Sequence, residues 1–524
     1  MHSVSATVAL CVLAGSASAQ LINRVQGVPN DRHSVEDAFT LSNGDIAMAG
    51  DSYNFAGGFN SSATITRTDA LGVPIWHLRI NEPNAFPSAF GVREVPGGNL
   101  VAGFYRDFNT ETMCLAGLSG SGSVLWVKRF PGSRGFPNAG MEIDTSEGAP
   151  AAVVASQFDQ QAPLGGQLLR VNAATGGLIF DRIYNPSNPT AVFDVSFADV
   201  ARKPASDYYV TGSVTRLING EIFDTDLFVA RLNSATGAVV WAKAIGTPLD
   251  PERGYGYETG RGIELASDGT VVVVGQINSP VETFGPDGAV HIRFDATTGA
   301  ILAQSTLLDV QVAAASLDRL STGEMVASGT RTFGDGQGAA QMWLLDPATL
   351  AVFWRGEYNS NTSFGRDAIE SVNPSQGLVL VGNHYSNNPI GFPDQMFIRT
   401  DMLGNDGCSV QMIEVIQPPV TLLSNDVALS MTLDQREFAY APTVAFVTMQ
   451  TNLACDAVPC VGDLNGDGFV DDADFVIFAD AYNILDCLDP LMPPGCPADL
   501  NSDGFVDDSD FVIFAEAYNQ LLCP

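Results

Sequence analysis

The residues best placed to do chemistry are carboxylates set in a fixed rhythm near the C-terminus. Asp463, Asn465, Asp467, Asp471 and Asp474 stand at positions 1, 3, 5, 9 and 12 of a twelve-residue stretch, with Gly468 at position 6. Asp499, Asn501, Asp503, Asp507 and Asp510 repeat the pattern with Gly504, and every position is offset by 36 residues. Oxygen donors in this order suit a hard cation. Calcium takes ~6–8 oxygens at ~2.3–2.6 Å, and a twelve-residue loop supplies them from positions 1, 3, 5, 7, 9 and 12, with glycine at position 6 for the sharp turn. Position 7 ligates through its backbone carbonyl; here it is Phe469 in the first copy and Phe505 in the second. Position 9 can bind through water. The expectation is two Ca2+ ions per chain, since a merely solvated acidic surface explains neither the glycines nor the duplication.

The elements that would position these ligands are legible around them. No clear helix precedes either loop, and Pro497 stands just before the second. A helix is expected after each. Phe475, Phe478, Ala479 and Tyr482 recur at i, i+3, i+4 and i+7, as do Phe511, Phe514, Ala515 and Tyr518. Residues 461–524 hold 14 Asp or Glu and no Lys or Arg. Interleaved aromatics argue that this block folds around cations and does not stay disordered.

Loop then helix, duplicated, with Asp at position 12 where ordinary EF-hands have Glu, resembles the type I dockerin module over residues 460–524. The resemblance implies a non-catalytic domain that folds around calcium and binds a cohesin module. Such modules commonly attach secreted polysaccharide-degrading enzymes to scaffolds or cell surfaces. In dockerins, partner choice is read largely at loop positions 10 and 11, often hydroxyl residues. Here those positions are Asp472-Ala473 and Asp508-Ser509, so the partner expected is a cohesin-like or other cell-surface protein of unfamiliar type. Cys460 and Cys496 precede the loops; Cys487 and Cys523 follow them. A helix of about thirteen residues spans ~20 Å, and a disulfide needs Cα atoms within ~7 Å. Pairing within one repeat would join opposite ends of a helix and is disfavoured, and antiparallel repeats predict Cys487–Cys496 and Cys460–Cys523.

Bulk properties set the context. The chain has 524 residues, a net charge of −34 and a pI near 4.2, which argues against a nucleic-acid partner. Residues 1–19 read as a secretory signal peptide: an apolar run from Val4 to Gly15, then Ala17-Ser18-Ala19. No later stretch reaches the ~20 apolar residues of a membrane helix. The expected localisation is secreted or extracellular, free or attached to a cell surface, in a compartment that permits disulfides.

Between residues 70 and 410 a turn-plus-aromatic unit recurs. It reads Gly72-Val-Pro-Ile-Trp76, Gly122-Ser-Val-Leu-Trp126, Gly176-Gly-Leu-Ile-Phe180 and Gly237-Ala-Val-Val-Trp241. It continues from Gly299 to Ala303, Leu350 to Trp354 and Gly404 to Cys408. A second column closes apolar runs at Gly50, Gly103, Gly212, Gly275, Gly329 and Gly382, with Ser156 in the third unit. About four strands fit each unit, with the first near 35–41, 45–51, 63–69 and 74–80. The fold class expected is all-β, a seven-bladed β-propeller over residues 20–457, followed by a small α-helical calcium-binding domain over 458–524. A stacked solenoid is the alternative architecture. The Thr236-Gly237-Ala-Val-Val-Trp241 phrase is similar to the repeats of pyrroloquinoline-quinone-type bacterial propellers. Residues 409–457 are expected to complete or cap the ring, stapled by Cys408–Cys455, with Cys114 left as a buried thiol.

Catalytic signatures are few. His33, His77, His291 and His384 are scattered without metal spacing. There is no Gly-x-Ser-x-Gly elbow, no sialidase-type Asp box, and no adjacent cysteines of the kind found over the quinone in some quinoprotein dehydrogenases. The turn Trp residues recur in most units, which suits blade packing better than a single cofactor site. These absences favour a binding propeller docked by the C-terminal module. The alternative is a carbohydrate-active hydrolase or lyase, since glycoside cleavage needs only two carboxylates at the right separation. Facing carboxylates with aromatics in the central pocket would favour that alternative.

Overall fold

The computed structural model describes residues 21–518 except 29–30, 55–59, 82–85, 106–111, 132–138, 147, 159–163, 188–191, 203–206, 219–221, 248–256, 278–287, 309–311, 333–337, 360–362, 372–376, 386–393, 408–409, 418–419, 421, 434–437, 440–441, 456–461, 463, 465–469, 488, 490–491, 494–495 and 502–503. Residues 1–19, which the sequence reads as a signal peptide, thus lie outside the described residues. The chain divides into two compact units on either side of residues 456–457.

The larger unit is a seven-bladed β-propeller of antiparallel sheets. Blade 1 runs outward through Asp37–Thr40, Ile46–Asn54, Asn60–Thr68 and Pro74–Asn81. Blade 5 runs through Thr259–Leu265, Val271–Ile277, Gly288–Phe294 and Ile301–Leu308. Side chains alternate between the two faces of a strand, and a strand buried on both faces reads as a continuous apolar run. Val271 and Val273 pack with Leu227, Val229 and Ile245 of blade 4. Val272 and Val274 pack with Trp343 and Leu345 of blade 6. An apolar cluster of this kind fills each of the seven blade junctions, so the core is divided radially.

The turn-plus-aromatic motif works across those junctions. Trp76, Trp126, Trp241 and Trp354 sit on outermost strands. Their indole N–H groups donate to the carbonyls of Gly120, Ala173, Ala296 and Met402 in the following blade, each at 3.2 Å. The glycine of that blade's turn makes room for the ring: a Cβ on Gly404 would lie 2.5 Å from Trp354, and φ there is +81°. In blade 3, where Phe180 replaces Trp, the Tyr184 hydroxyl donates to the Gly237 carbonyl at 2.7 Å.

The second glycine column marks β-bulges in the innermost strands. Gly212 and Gly382 lie opposite the residues where the inner-strand register slips, between Phe197 and Asp199 and between Gly365 and Asp367. A Cβ at either glycine would come within 2.0 Å of the carbonyl of Ser196 or Phe364. The bulge turns Asp199 and Asp367 out of the blade plane.

The ring closes through the N-terminus. Ile22–Gly27 pairs antiparallel with Asp394–Thr400 and forms the fourth strand of blade 7. The seventh repeat therefore does not supply its own outer strand after Gly404. Residues beyond it do not form a blade or a cap, as the sequence had suggested. They run around the outside of the ring as a belt. Gln411–Met412 pairs with blade 6, Leu423–Asp426 with blade 4, Leu429–Leu433 with blade 3, Phe438–Ala439 with blade 2, Thr443–Phe446 with blade 1 and Gln450–Cys455 with the N-terminal strand of blade 7. At blade 5 the contact is a side-chain bond, from Gln304 Nε2 to the Val420 carbonyl at 2.8 Å. Each outer strand left unpaired would expose a row of backbone donors and acceptors; among the described residues the belt pairs with those of six blades and leaves that of blade 5 without a belt strand.

The smaller unit contains two helices among its described residues, α1 (Asp472–Tyr482) and α2 (Asp508–Tyr518), offset by 36 residues like the loops before them. No described helix of the chain is long and apolar enough to cross a membrane.

Candidate functional site

The C-terminal unit is built on a pseudo-twofold relation between its repeats. Phe478 and Phe514 are buried and stack with ring centroids 4.9 Å apart. Tyr482, at the end of α1, donates its hydroxyl to Asp508 at the start of α2. Tyr518 reciprocates to Asp472 at 2.5 Å. Two such bonds, each joining one helix's end to the other's start, require antiparallel helices. Cys487 and Cys496 are joined in a disulfide with Cα atoms 5.5 Å apart, the pairing expected for that arrangement. Cys460, Cys523 and Cys408 lie outside the described residues. Cys455 takes its place in the belt strand opposite Asn23, and Cys114 is buried in its strand.

In the second loop Asp499 Oδ2 accepts the Gly504 N–H at 2.9 Å, and Gly504 has φ +92°. Asp510 is fully buried. Its Oδ1 accepts from Leu500 and Asn501 at 2.8 and 3.0 Å, and its Oδ2 from Asp507 at 2.9 Å. Asp507 in turn caps α2 by accepting the Ser509 N–H at 2.8 Å. The first loop repeats this where it is described: Asp474 is fully buried and accepts from Leu464 at 2.7 Å and Asp471 at 3.0 Å, and Asp471 caps Ala473 at 2.8 Å. Positions 9 and 12 thus form capping boxes while gathering carboxylate oxygens into the loop. Asp463, Asn465, Asp467, Gly468, Phe469 and Asp503 lie outside the described residues. The donor set that is described is all oxygen, with Asp499, Asn501, Asp507 and Asp510 in one loop and no basic residue in the segment to offset it. That chemistry fits calcium. A sulfur-containing alternative at Cys487, Cys496 and Asp499 fails, because the two sulfurs are bonded to each other.

Phe475 and Phe511, on the face that the spacing picks out, are half-exposed at 44% and 43%, with ring centroids 6.2 and 6.0 Å from those of the buried Phe514 and Phe478. With Val476 (59%) and Val512 (65%) they leave a symmetric apolar quartet on the surface. The adjacent positions Asp472, Ala473, Asp508 and Ser509 are all exposed, and both aspartates are engaged by the tyrosine hydroxyls.

The propeller's channel is a second candidate, one that motif reasoning left unassigned. A cavity of about 410 Å³ is lined by eight carboxylates and four guanidinium groups, with Phe39 and Phe90 among the apolar lining. Several of the acids clasp blades together. Asp37 Oδ2 accepts the Val92 N–H at 2.8 Å and pairs with Arg93 at 2.7 Å. Asp199 accepts from Ile263 at 3.0 Å, and Asp367 from Ala38 at 2.8 Å. Each bond crosses to the following blade. A signal for them was present: Asp37 and Asp199 stand 13 residues before Gly50 and Gly212, and Asp367 stands 15 before Gly382. Burial pushes Asp199 and Asp367 up to about 7. Burial, then the charge of Asp318, pushes Glu264 up to about 8, and burial holds Asp318 at about 6 and raises Glu142. Carboxyl groups that exchange protons near neutrality can serve as general acid and base.

Two of the histidines, His291 and His77, are buried in hydrogen-bonded positions within the blades. His291 accepts the Trp343 indole N–H at 2.9 Å, and His77 contacts Thr66 Oγ1 at 2.8 Å. Burial lowers them to about 4 and about 3, so both stay neutral.

No family model matches the chain, and no curated protein matches it. Among solved structures, a polysaccharide lyase described as an ulvan lyase is 8% identical, covers 74% of this chain and 96% of its own, and has a TM-score of 0.43. A europium-containing methanol dehydrogenase is 9% identical over 69% of this chain and 80% of its own, with a TM-score of 0.36. A sialidase from Streptococcus pneumoniae is 9% identical over 75% and 72%, with a TM-score of 0.39. All three are remote likenesses.

Proposed function

We propose that this is a secreted protein whose C-terminal unit is a calcium-dependent, dockerin-like docking module, carrying the propeller as a binding domain to a cohesin-like or other cell-surface partner. The observation that carries the reading is the exposed quartet Phe475, Val476, Phe511 and Val512 on a unit whose two halves are cross-braced by Tyr482–Asp508 and Tyr518–Asp472. Large apolar side chains left exposed at matching positions of both helices suit a site of association. Calcium would be held by Asp463, Asn465, Asp467, the Phe469 carbonyl, Asp471 and Asp474, and by Asp499, Asn501, Asp503, the Phe505 carbonyl, Asp507 and Asp510. Bound there, it would neutralise the loops and fix the helices that present the quartet.

The test is capture of secreted and surface proteins of the producing cell on the full chain, with calcium and with chelator, beside a Val476→Asp/Val512→Asp variant. A partner captured only with calcium and lost with the variant supports docking. A partner retained by the variant refutes the surface.

A second reading rests on the channel. Carboxyl groups spanning about 6 to 8 in one aromatic-flanked cavity suit acid–base cleavage of a polysaccharide. A screen of plant and algal polysaccharides, with Glu264→Gln as control, tests it; turnover unaffected by that substitution, or no turnover at all, removes it.

A further inference from the structure

Blade 4 carries a hairpin longer than those of its neighbours, Tyr208–Ile218 and Ile222–Leu232. Its far end places Asp224 and Asp226 against the residue that opens blade 5, Glu258. The two blades are tied there by backbone: the Glu258 N–H donates to the Thr225 carbonyl at 2.8 Å, and Thr225 bridges Tyr257. None of the three acids lines the channel cavity.

All three are almost completely buried, at 2%, 1% and 2% exposure for Asp224, Asp226 and Glu258. Each offers an oxygen within 4.8 Å of the others. That span matches the ~4.6–5.2 Å diameter of a calcium coordination sphere. Arg216 reaches two of them, with Nη2 2.9 Å from Asp224 Oδ2 and 2.5 Å from Asp226 Oδ2. Thr247 Oγ1 donates to Glu258 Oε1 at 2.7 Å. Asp226 Oδ1 and Glu258 Oε2 are buried and have no hydrogen-bond partner among the described residues. Gly246 opens the space between them: a Cβ there would lie 1.9 Å from Asp226 Oδ1 and 3.6 Å from Glu258 Oε2.

Buried carboxylate oxygens without donors are costly, and here two of them converge. Three carboxylates against one guanidinium leave a charge of −2 when ionised. We propose that Asp224, Asp226 and Glu258 form a divalent-cation site for a hard ion of the calcium class, pinning blade 4 to blade 5, separate from the C-terminal loops. The all-oxygen donor set excludes the softer metals that need nitrogen or sulfur.

The experiment uses the full mature chain stripped of cations at pH 7.5. Calcium bound per chain is counted by equilibrium dialysis and calorimetry for wild type and for Asp226→Asn/Glu258→Gln. The substitutions are isosteric and neutral, and mimic the protonated cluster, so folding is retained. The expected result is one ion fewer in the variant, with loss of part of the calcium-induced rise in the propeller's melting temperature. Because the count is a difference, it stands whether the C-terminal loops bind two ions or none. Equal counts would overturn the proposal. Independently, crystals soaked in Mn2+ should show an anomalous peak within ~2.6 Å of these oxygens; its absence at millimolar ion would overturn the proposal as well.

Discussion

Replacing Glu264 by Gln should stabilise the propeller by an amount that grows with pH. Glu264 is raised from 4.5 to about 8, first by burial and then by the charge of Asp318. An acid raised on folding binds its proton more tightly in the native state. Its contribution is fully present below the unfolded value and is lost as pH rises from about 4.5 through about 8. At ~1.4 kcal/mol per unit, ionising it in place costs on the order of 5 kcal/mol at the high-pH limit, and on the order of 3 kcal/mol at pH 7. Gln fills the same volume and keeps an oxygen for the Leu265 N–H, which Glu264 Oε1 accepts at 2.8 Å. The assay is urea unfolding from pH 4 to 9 in chelator, followed by Trp fluorescence. All five Trp residues, 76, 126, 241, 343 and 354, belong to the propeller, so the signal is blind to the C-terminal unit. The gap between variant and wild type should be small at pH 4, widen through neutrality and level off above pH 8. A gap of constant size across that range would refute the assignment of a buried, proton-holding carboxyl.

Other perturbations have equally direct outcomes. Trp354→Ala removes a ring that fills the blade 6–7 junction and donates to Met402, and should cost about 3–5 kcal/mol in the same unfolding assay. Gly212→Ala sets a Cβ against the Ser196 carbonyl, which cannot swing aside as a side chain would; soluble yield should collapse. Removing calcium should make residues 458–524 susceptible to limited proteolysis, and protection unchanged by chelator would count against metal-dependent folding there. Peptide mapping should recover Cys460–Cys523 beside Cys487–Cys496; a Cys460–Cys487 bridge would contradict the antiparallel helices.

Much of the propeller was legible because each blade repeats the same physical problem. A four-valine run bounded by turns is what a strand buried on both faces must look like, and Trp recurs in the turn-following position because at four junctions an indole spans to the next blade's turn. The antiparallel C-terminal repeats were legible for the same reason, since a 36-residue offset fixes what can face what. The channel was not read, because Asp37, Asp199 and Asp367 acquire meaning only after a bulge turns them toward the next blade, and the glycine column that marks the bulges does not by itself say which side chains are turned. Asp224, Asp226 and Glu258 were hidden by distance: 32 residues separate the hairpin from the acid it meets.

The belt was illegible for a different reason, and its placement bears on how the ring is closed. Its strands are short, from two to six residues, and take their register from the blades they edge, so they need no strong pattern of their own. Leu423, Met431 and Phe446 are large and exposed, as suits a strand with solvent on one side. The last belt strand, Gln450–Cys455, is hydrogen-bonded to Ile22–Gly27, the strand that closes the ring. The chain leaves for the C-terminal unit directly from that strand. The strand that closes the ring is therefore held by backbone pairing on both sides, to Asp394–Thr400 within the blade and to the belt outside it, so several hydrogen bonds must break together before the ring opens.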